Sequence, residues 1–230
     1  MVEDMKIAII VAMGKELELL EPMIVGRKSV EADGCQFVTG RVGIHEVTAM
    51  ECGIGKVNAA IGTLTLINRF APDLVVSTGV AGGADKSVNV MDIVVAERIA
   101  YHDVWCGPGT VPGQAAGVPL YLASDPAILR LVEPLPAVRR GLLCSGDVFI
   151  DSIEQVDRIK GIFPDALAVD MESAAIAHVC HRKGVRFFGL RVISDSPGAS
   201  HDNAAQYEDF WADAPKHTFA IVSRLLNDIE

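Results

Sequence analysis

The hydrophobic positions of this chain fall into two patterns that alternate along it. Short, nearly unbroken apolar runs read as strands buried on both faces: Lys6 to Ala12, Leu74 to Ser77, Ile93 to Ala100, Gly141 to Ser145, Ala166 to Val169 and Arg186 to Ile193. Between them lie segments whose apolar residues recur at helical spacing. Leu17, Leu20 and Ile24 share one side of a short helix, and Gly53 to Ala60 opens a long apolar helix ending near Phe70. Asp125-Pro126 begins a helix with proline at its first position. Ser152 and Gln155 form a capping box for a helix reaching Ile162. Met171, Ala174, Ala175 and Val179 set a helix that Gly184 closes, and a final helix is predicted from about Gln206 to Asp228. Gln36 to Gly40 and Glu46 to Cys52 read as an antiparallel pair. Thr78 to Gly83 reads as a small-residue loop, and residues 102–119, rich in Gly and Pro, as a flap or partner-facing segment. The alternation predicts one α/β domain over residues 1–230, a three-layer α/β/α sandwich on a mixed central sheet.

Composition narrows the class. Half of the 230 residues are hydrophobic and 22% are charged, as in a compact soluble protein. A net charge of −10 argues against nucleic acid or an anionic membrane as partner. The acidic start, Met1 to Met5, precedes an apolar run too short for a secretory signal, and no run approaches a membrane span. Five scattered cysteines fit reduced thiols in the cytoplasm better than a disulfide framework.

The candidate chemistry gathers at strand ends. Asp170 and Glu172 lie where an apolar run turns into a helix, the place where α/β sheets bind ligands. On spacing alone they read equally well as acids that complement a helix dipole. Glu16 and Asp195, however, also follow apolar runs, and four surface acids are not expected to share that address by chance. Other chemistries lack their signatures. Gly53-Ile54-Gly55-Lys56 is neither a phosphate loop nor a dinucleotide fingerprint, and no Gly-x-Ser-x-Gly elbow appears. His178 and His181 have no accompanying ligand set and read as a helix-surface pair; Cys52 and Cys144 read as core thiols. Metal-free carboxylates without a nucleophile suit cleavage of a glycosidic bond, which needs an acid for the leaving group and a base for water.

On these motifs the chain resembles the 5′-methylthioadenosine/S-adenosylhomocysteine nucleosidases, within the nucleoside phosphorylase-like superfamily. The matching pieces run almost end to end. They are Ala12-Met13 with Glu16, Cys52-Gly53-Ile54-Gly55-Lys56-Val57, Ser77-Thr78-Gly79-Val80-Ala81-Gly82-Gly83, Ser145 to Ile150, Val169-Asp170-Met171-Glu172, and Arg191-Val192-Ile193-Ser194-Asp195. The resemblance implies hydrolysis of methylthioadenosine, S-adenosylhomocysteine and 5′-deoxyadenosine, in methionine salvage and the recycling of S-adenosylmethionine by-products, with no cofactor. It implies that Asp195 protonates adenine N7, Ser194 orients that carboxyl, and Glu16 holds and deprotonates the attacking water. Glu172 binds the ribose hydroxyls and Met171 packs on the sugar. Phe149 stacks on adenine and Ile150 offers backbone groups to its edge. Met13, Ile54, Ala81, Gly82 and Asp170 complete the implied substrate-binding set. It further implies a homodimer in which Pro112 reaches the partner's 5′ pocket; an exposed apolar loop with Trp105, Pro108 and Pro112 agrees.

Three positions depart from the family's pattern: Val80 stands where many relatives carry Ser, Asp170 replaces a common Glu, and the 104–111 loop is short. Three rival readings are a nucleosidase for another 5′-modified adenosine such as aminofutalosine, a purine nucleoside phosphorylase, and a non-catalytic nucleoside binder. A phosphorylase needs cations for phosphate. Met13 to Glu16 offers no Arg, and residues 76–83 offer neither Arg nor Lys. A binder would lack the acid or the base, and Glu16, Glu172 and Asp195 are all present.

Overall fold

The computed structural model describes residues 4–132, 138–197, 203–213 and 220–229. The first part of the chain forms β1 (Lys6–Val11), α1 (Gly14–Leu20), β2 (Val25–Ala32), β3 (Cys35–Val42), β4 (His45–Glu51), α2 (Lys56–Phe70), β5 (Leu74–Ser77) and β6 (Val80–Gly83). Next come β7 (Ile93–Tyr101), β8 (Leu122–Ala123), α3 (Pro126–Val132), β9 (Val138–Ser145), α4 (Ile153–Ile162) and β10 (Ala166–Asp170). The chain closes with α5 (Ser173–Lys183), β11 (Arg186–Asp195), α6 (Asn203–Asp213) and α7 (Ala220–Asp228).

The strands form one mixed sheet in the order β2-β3-β4-β1-β5-β11-β6-β10-β9-β7-β8. Its axis is β11, in which only Arg186 is exposed. Residues 186–189 pair with β5 in parallel, and 192–195 pair with β6. Leu190–Val192 also pair antiparallel with β7, so β11, β6, β10, β9 and β7 close into a ring. Apolar side chains cover both faces. Leu66 and Ile67 of α2 pack with Ala174, Ile176 and Cys180 of α5 on one side. Leu20 of α1, Ile128 and Leu129 of α3, and Val222, Leu225 and Leu226 of α7 cover the other. These are the three layers expected from the alternating pattern. Buried His45 ties the two ends together: its Nδ1 accepts the Met5 N–H and its Nε2 lies 3.0 Å from the Ile229 carbonyl.

Four details differ from the sequence reading. β2 was not expected, because it lies at the sheet edge, almost wholly exposed, and so carries no apolar alternation. Residues 80–83, expected as loop, are a short strand; their small side chains hide the strand signal. α5 begins at Ser173 rather than Met171, leaving Glu172 as its N-cap residue. The helix expected over 206–228 is present as α6 and α7, and the stretch between them lies outside the described residues. The capping box at Ser152 and the left-handed Gly184 after α5 are as expected.

The end of α2 generates a prediction. Ala71 caps it in the left-handed region at φ 46, with its N–H on the Ile67 carbonyl, just before Pro72. An L-residue pays about 1–2 kcal/mol there, while glycine loses somewhat more chain entropy on folding. Ala71→Gly is therefore expected to raise stability by about 0.5–1 kcal/mol in urea unfolding. A drop of similar size would show that the cap is unstrained.

Candidate active site

The C-terminal ends of β1, β5, β10 and β11 converge on one cavity. Every site residue expected from the sequence lines it except Pro112, which is exposed on the 102–119 segment. The four acids are not surface residues: Glu16 is 1% exposed, Asp170 8%, Glu172 7% and Asp195 2%.

Glu16 owes its position to three backbone N–H groups. It is the third residue of α1, so its Oε2 reaches back to the Ala12 and Met13 N–H groups, each at 3.0 Å. Its Oε1 accepts the Val80 N–H at 3.0 Å. That last bond exists because the chain breaks between β5 and β6. Gly79 adopts φ 144, and a Cβ there would lie 2.5 Å from Glu16 Oε1. Burial raises the proton affinity of Glu16, and Arg191 and the three N–H groups oppose it. A carboxyl held this way is suited to taking a proton from water near neutral pH.

Glu172 Oε1 accepts the Gly55 N–H at 2.8 Å, so the glycine turn before α2 serves a carboxylate rather than a phosphate. Burial first, and then the charge of Asp170, push Glu172 up to about 7. Asp195 ends β11, with Ser194 Oγ 2.6 Å from its Oδ1 and 3.3 Å from the Ala81 carbonyl. Phe149 is half exposed and meets Tyr207 edge-on at 6.0 Å. Ile150 behind it is buried.

Asp170 is differently engaged. Its Oδ2 accepts Arg191 Nε–H at 3.0 Å and the Ser173 N–H at 3.1 Å, and lies 2.9 Å from Arg191 Nη2 in an ion pair. Its Oδ1 accepts the Ser145 hydroxyl. Arg191 also gives Nη2–H to Ser77 Oγ and Nη1–H to the Leu190 carbonyl, both at 2.9 Å.

Among the lining residues to which sequence reasoning gave no role are Arg191 and Tyr207. Arg191 was legible as the lone charge inside an apolar strand. Tyr207 carries no such signal; it closes the cavity beside Met13, its hydroxyl 3.2 Å from Met13 Sδ. Arg191 brings a cation to the site from outside Met13 to Glu16 and residues 76–83, the segments read for phosphate-binding groups, and its N–H groups are largely committed to protein. Cys52 is no nucleophile: burial, with the charge of Glu172, pushes its thiol up to about 12. Of the histidine pair, His178 Nδ1 lies 3.1 Å from the Tyr101 hydroxyl. Among the described residues no group of three or more His, Cys, Asp or Glu is placed to hold a metal ion.

Comparison with known proteins follows the same lines. The family model of the phosphorylase superfamily matches residues 6–227. A 5′-methylthioadenosine/S-adenosylhomocysteine nucleosidase of Anoxybacillus flavithermus is 38% identical over 232 positions, covering 98% of this chain and 99% of that one. Among solved structures, the nucleosidase of S. pneumoniae with a transition-state inhibitor superimposes with a TM-score of 0.92 at 32% identity, covering 98% of this chain and all of the other. The Colwellia psychrerythraea nucleosidase in complex with adenine has a TM-score of 0.92 at 33% identity, with 99% and 97% covered.

The fit of Gly79 against Glu16 is open to test. Gly79→Ala places a side chain in a left-handed conformation and drives its Cβ into the Glu16 carboxylate. The expected outcome is a loss of about 1–3 kcal/mol in urea unfolding. An alanine variant as stable as the parent would show that neither the loop nor Glu16 is constrained.

Proposed function

The chain belongs to the 5′-methylthioadenosine/S-adenosylhomocysteine nucleosidases of the phosphorylase superfamily, and on that premise we propose that it hydrolyses the N-glycosidic bond of both nucleosides, releasing adenine and the 5′-thio-substituted ribose. The observation that carries this reading is the set of buried carboxylates, Glu16, Glu172 and Asp195, around one cavity in which the one lining cation among the described residues is occupied by Asp170. Phosphate would find no free cation there, whereas a water finds a base.

Each residue then has one task. Adenine is a poor leaving group as an anion, so Asp195 delivers a proton to N7 while the Ser194 hydroxyl fixes the carboxyl. Phe149 stacks on the purine, and the Ile150 backbone meets its edge. Glu172, held by Gly55, accepts the ribose hydroxyls, and its charge favours the oxocarbenium-like centre. Glu16 holds the water and takes its proton as it attacks that centre. Met13, Ile54, Met171 and Tyr207 form the apolar walls around the sugar and its 5′ group, and Ala81 and Gly82 let the base approach the sheet. No step requires a cofactor. 5′-Deoxyadenosine presents the same base and ribose, and we include it among the substrates. The products place the enzyme in methionine salvage.

The working unit in this proposal is a homodimer, with 1–230 as one domain. Val57, Ile61 and Leu64 are exposed along α2, and Trp105 and Pro112 are exposed on a segment that does not reach this chain's own cavity. That segment supports a role for Pro112 in the partner's 5′ pocket. Five free cysteines fit a cytoplasmic setting, and among the described residues no helix is long and apolar enough to cross a membrane.

Incubation of the purified protein with methylthioadenosine, with and without phosphate, tests the function. Adenine and free methylthioribose are expected at equal rates in both buffers. Sugar 1-phosphate in the phosphate arm would make it a phosphorylase, and no adenine at all would end the proposal. Asp195→Asn keeps shape but cannot transfer a proton; kcat is expected to fall by at least about 10²-fold while affinity for an unreactive analogue hardly changes. A kcat close to the parent's, with chemistry limiting, would remove Asp195 as the acid. Sedimentation at micromolar concentration is expected to show a dimer; a fully active monomer would exclude one.

A further inference from the structure

Protein groups crowd the Asp170 carboxylate: Arg191 Nε–H and the Ser173 N–H donate to Oδ2, Arg191 Nη2 lies 2.9 Å from the same oxygen, and the Ser145 hydroxyl donates to Oδ1. The structure therefore commits Asp170 to protein partners rather than to the nucleoside that the sequence assigned it to bind. What it holds is a guanidinium whose side chain is 3% exposed. A buried cation must be paired, and breaking such a pair strands a charge in the interior. The cavity offers Arg191 other buried carboxylates, Glu16 and Glu172, and either would be lost to the chemistry by pairing with it.

We propose that Asp170 is a positioning residue, the dedicated counter-ion that fixes the Arg191 guanidinium and so leaves Glu16 and Glu172 free for water and ribose. The proposal rests on the reaction assigned above. The surrounding groups make its consequence specific. Glu172 faces Asp170 from β10, Arg191 from β11, Glu16 from α1, the Cys52 thiol just past β4, the Gly55 N–H ahead of α2 and Tyr207 from α6. Glu16 faces Arg191, Lys15 and the Val80 N–H. Of these, Asp170 raises the proton affinity of Glu172, and Arg191 lowers that of both glutamates. Without the Asp170 charge, Arg191 turns its full field on them. Ser145 and Ser77 complete the clamp, one on each member of the pair.

Titration of the glutamate side-chain carboxyls by carbon-13 NMR reads this without turnover, with Glu16→Gln and Glu172→Gln supplying the assignments. In Asp170→Asn, Glu172 is expected to titrate at least about 1 pH unit lower than in the parent, and the acid limb of kcat/KM should follow it down. Asp170→Glu keeps the charge and is expected to hold Glu172 within about 0.5 units. A merely structural aspartate would change stability and leave both titrations in place. If Asp170→Asn does not fold, the neutral pair Asp170→Asn/Arg191→Gln carries the test, since removal of the cation must raise Glu16. Glu172 unmoved in a folded Asp170→Asn, or Glu16 unmoved in the neutral pair, overturns the inference. A parent protein that cleaves no nucleoside would instead overturn the proposed reaction and leave the NMR result standing.

Discussion

Arg191 sits inside β11 with its side chain 3% exposed, and a guanidinium there must be satisfied by what the fold brings to it. The end of β10 supplies Asp170, the end of β5 supplies Ser77, and β9 supplies Ser145 to hold Asp170 in turn. These strands are neighbours only because β11 pairs with β5 along its first half and with β6 and β7 along its second. The ring closure of the sheet and the ion pair therefore belong together. The pair also sets the field in which Glu16 and Glu172 titrate, so fold, electrostatics and chemistry meet at one side chain.

Around that centre Glu16 and Glu172 are held by backbone rather than by cations. Glu16 takes N–H groups from the end of β1 and the start of β6, and Glu172 takes one from the turn before α2. Backbone donors fix a carboxylate without neutralising it. Burial then raises its proton affinity, and the donors limit the rise. The glycines at 55 and 79 are needed for this, since their φ values of 96 and 144 aim the neighbouring peptide groups at the carboxylates.

Much of this was legible before the structure. Buried parallel strands announce themselves as apolar runs, and the acids at their ends announce a site. Val25–Ala32 was not legible, because an exposed edge strand has no burial period to read. Val80–Gly83 was hidden because alanine and glycine carry little strand signal, although this segment lies in the ring beside Asp195. Asp170 shows a deeper limit. The sequence put it beside Glu172, but only the three-dimensional partners reveal that one acid is committed to Arg191 and the other to a backbone N–H. Adjacent residues with the same side-chain chemistry can serve opposite purposes, and spacing alone does not distinguish them.

Glu16 and Glu172 must be ionised to act although burial resists it. The most direct measurement is the pH dependence of kcat/KM for methylthioadenosine hydrolysis by the unaltered protein. Glu172 is held up at about 7 and Glu16 is raised from its ordinary value, so kcat/KM should fall as the pH drops through about 7. A profile level down to about pH 5, where ordinary carboxylates are still ionised, would contradict it.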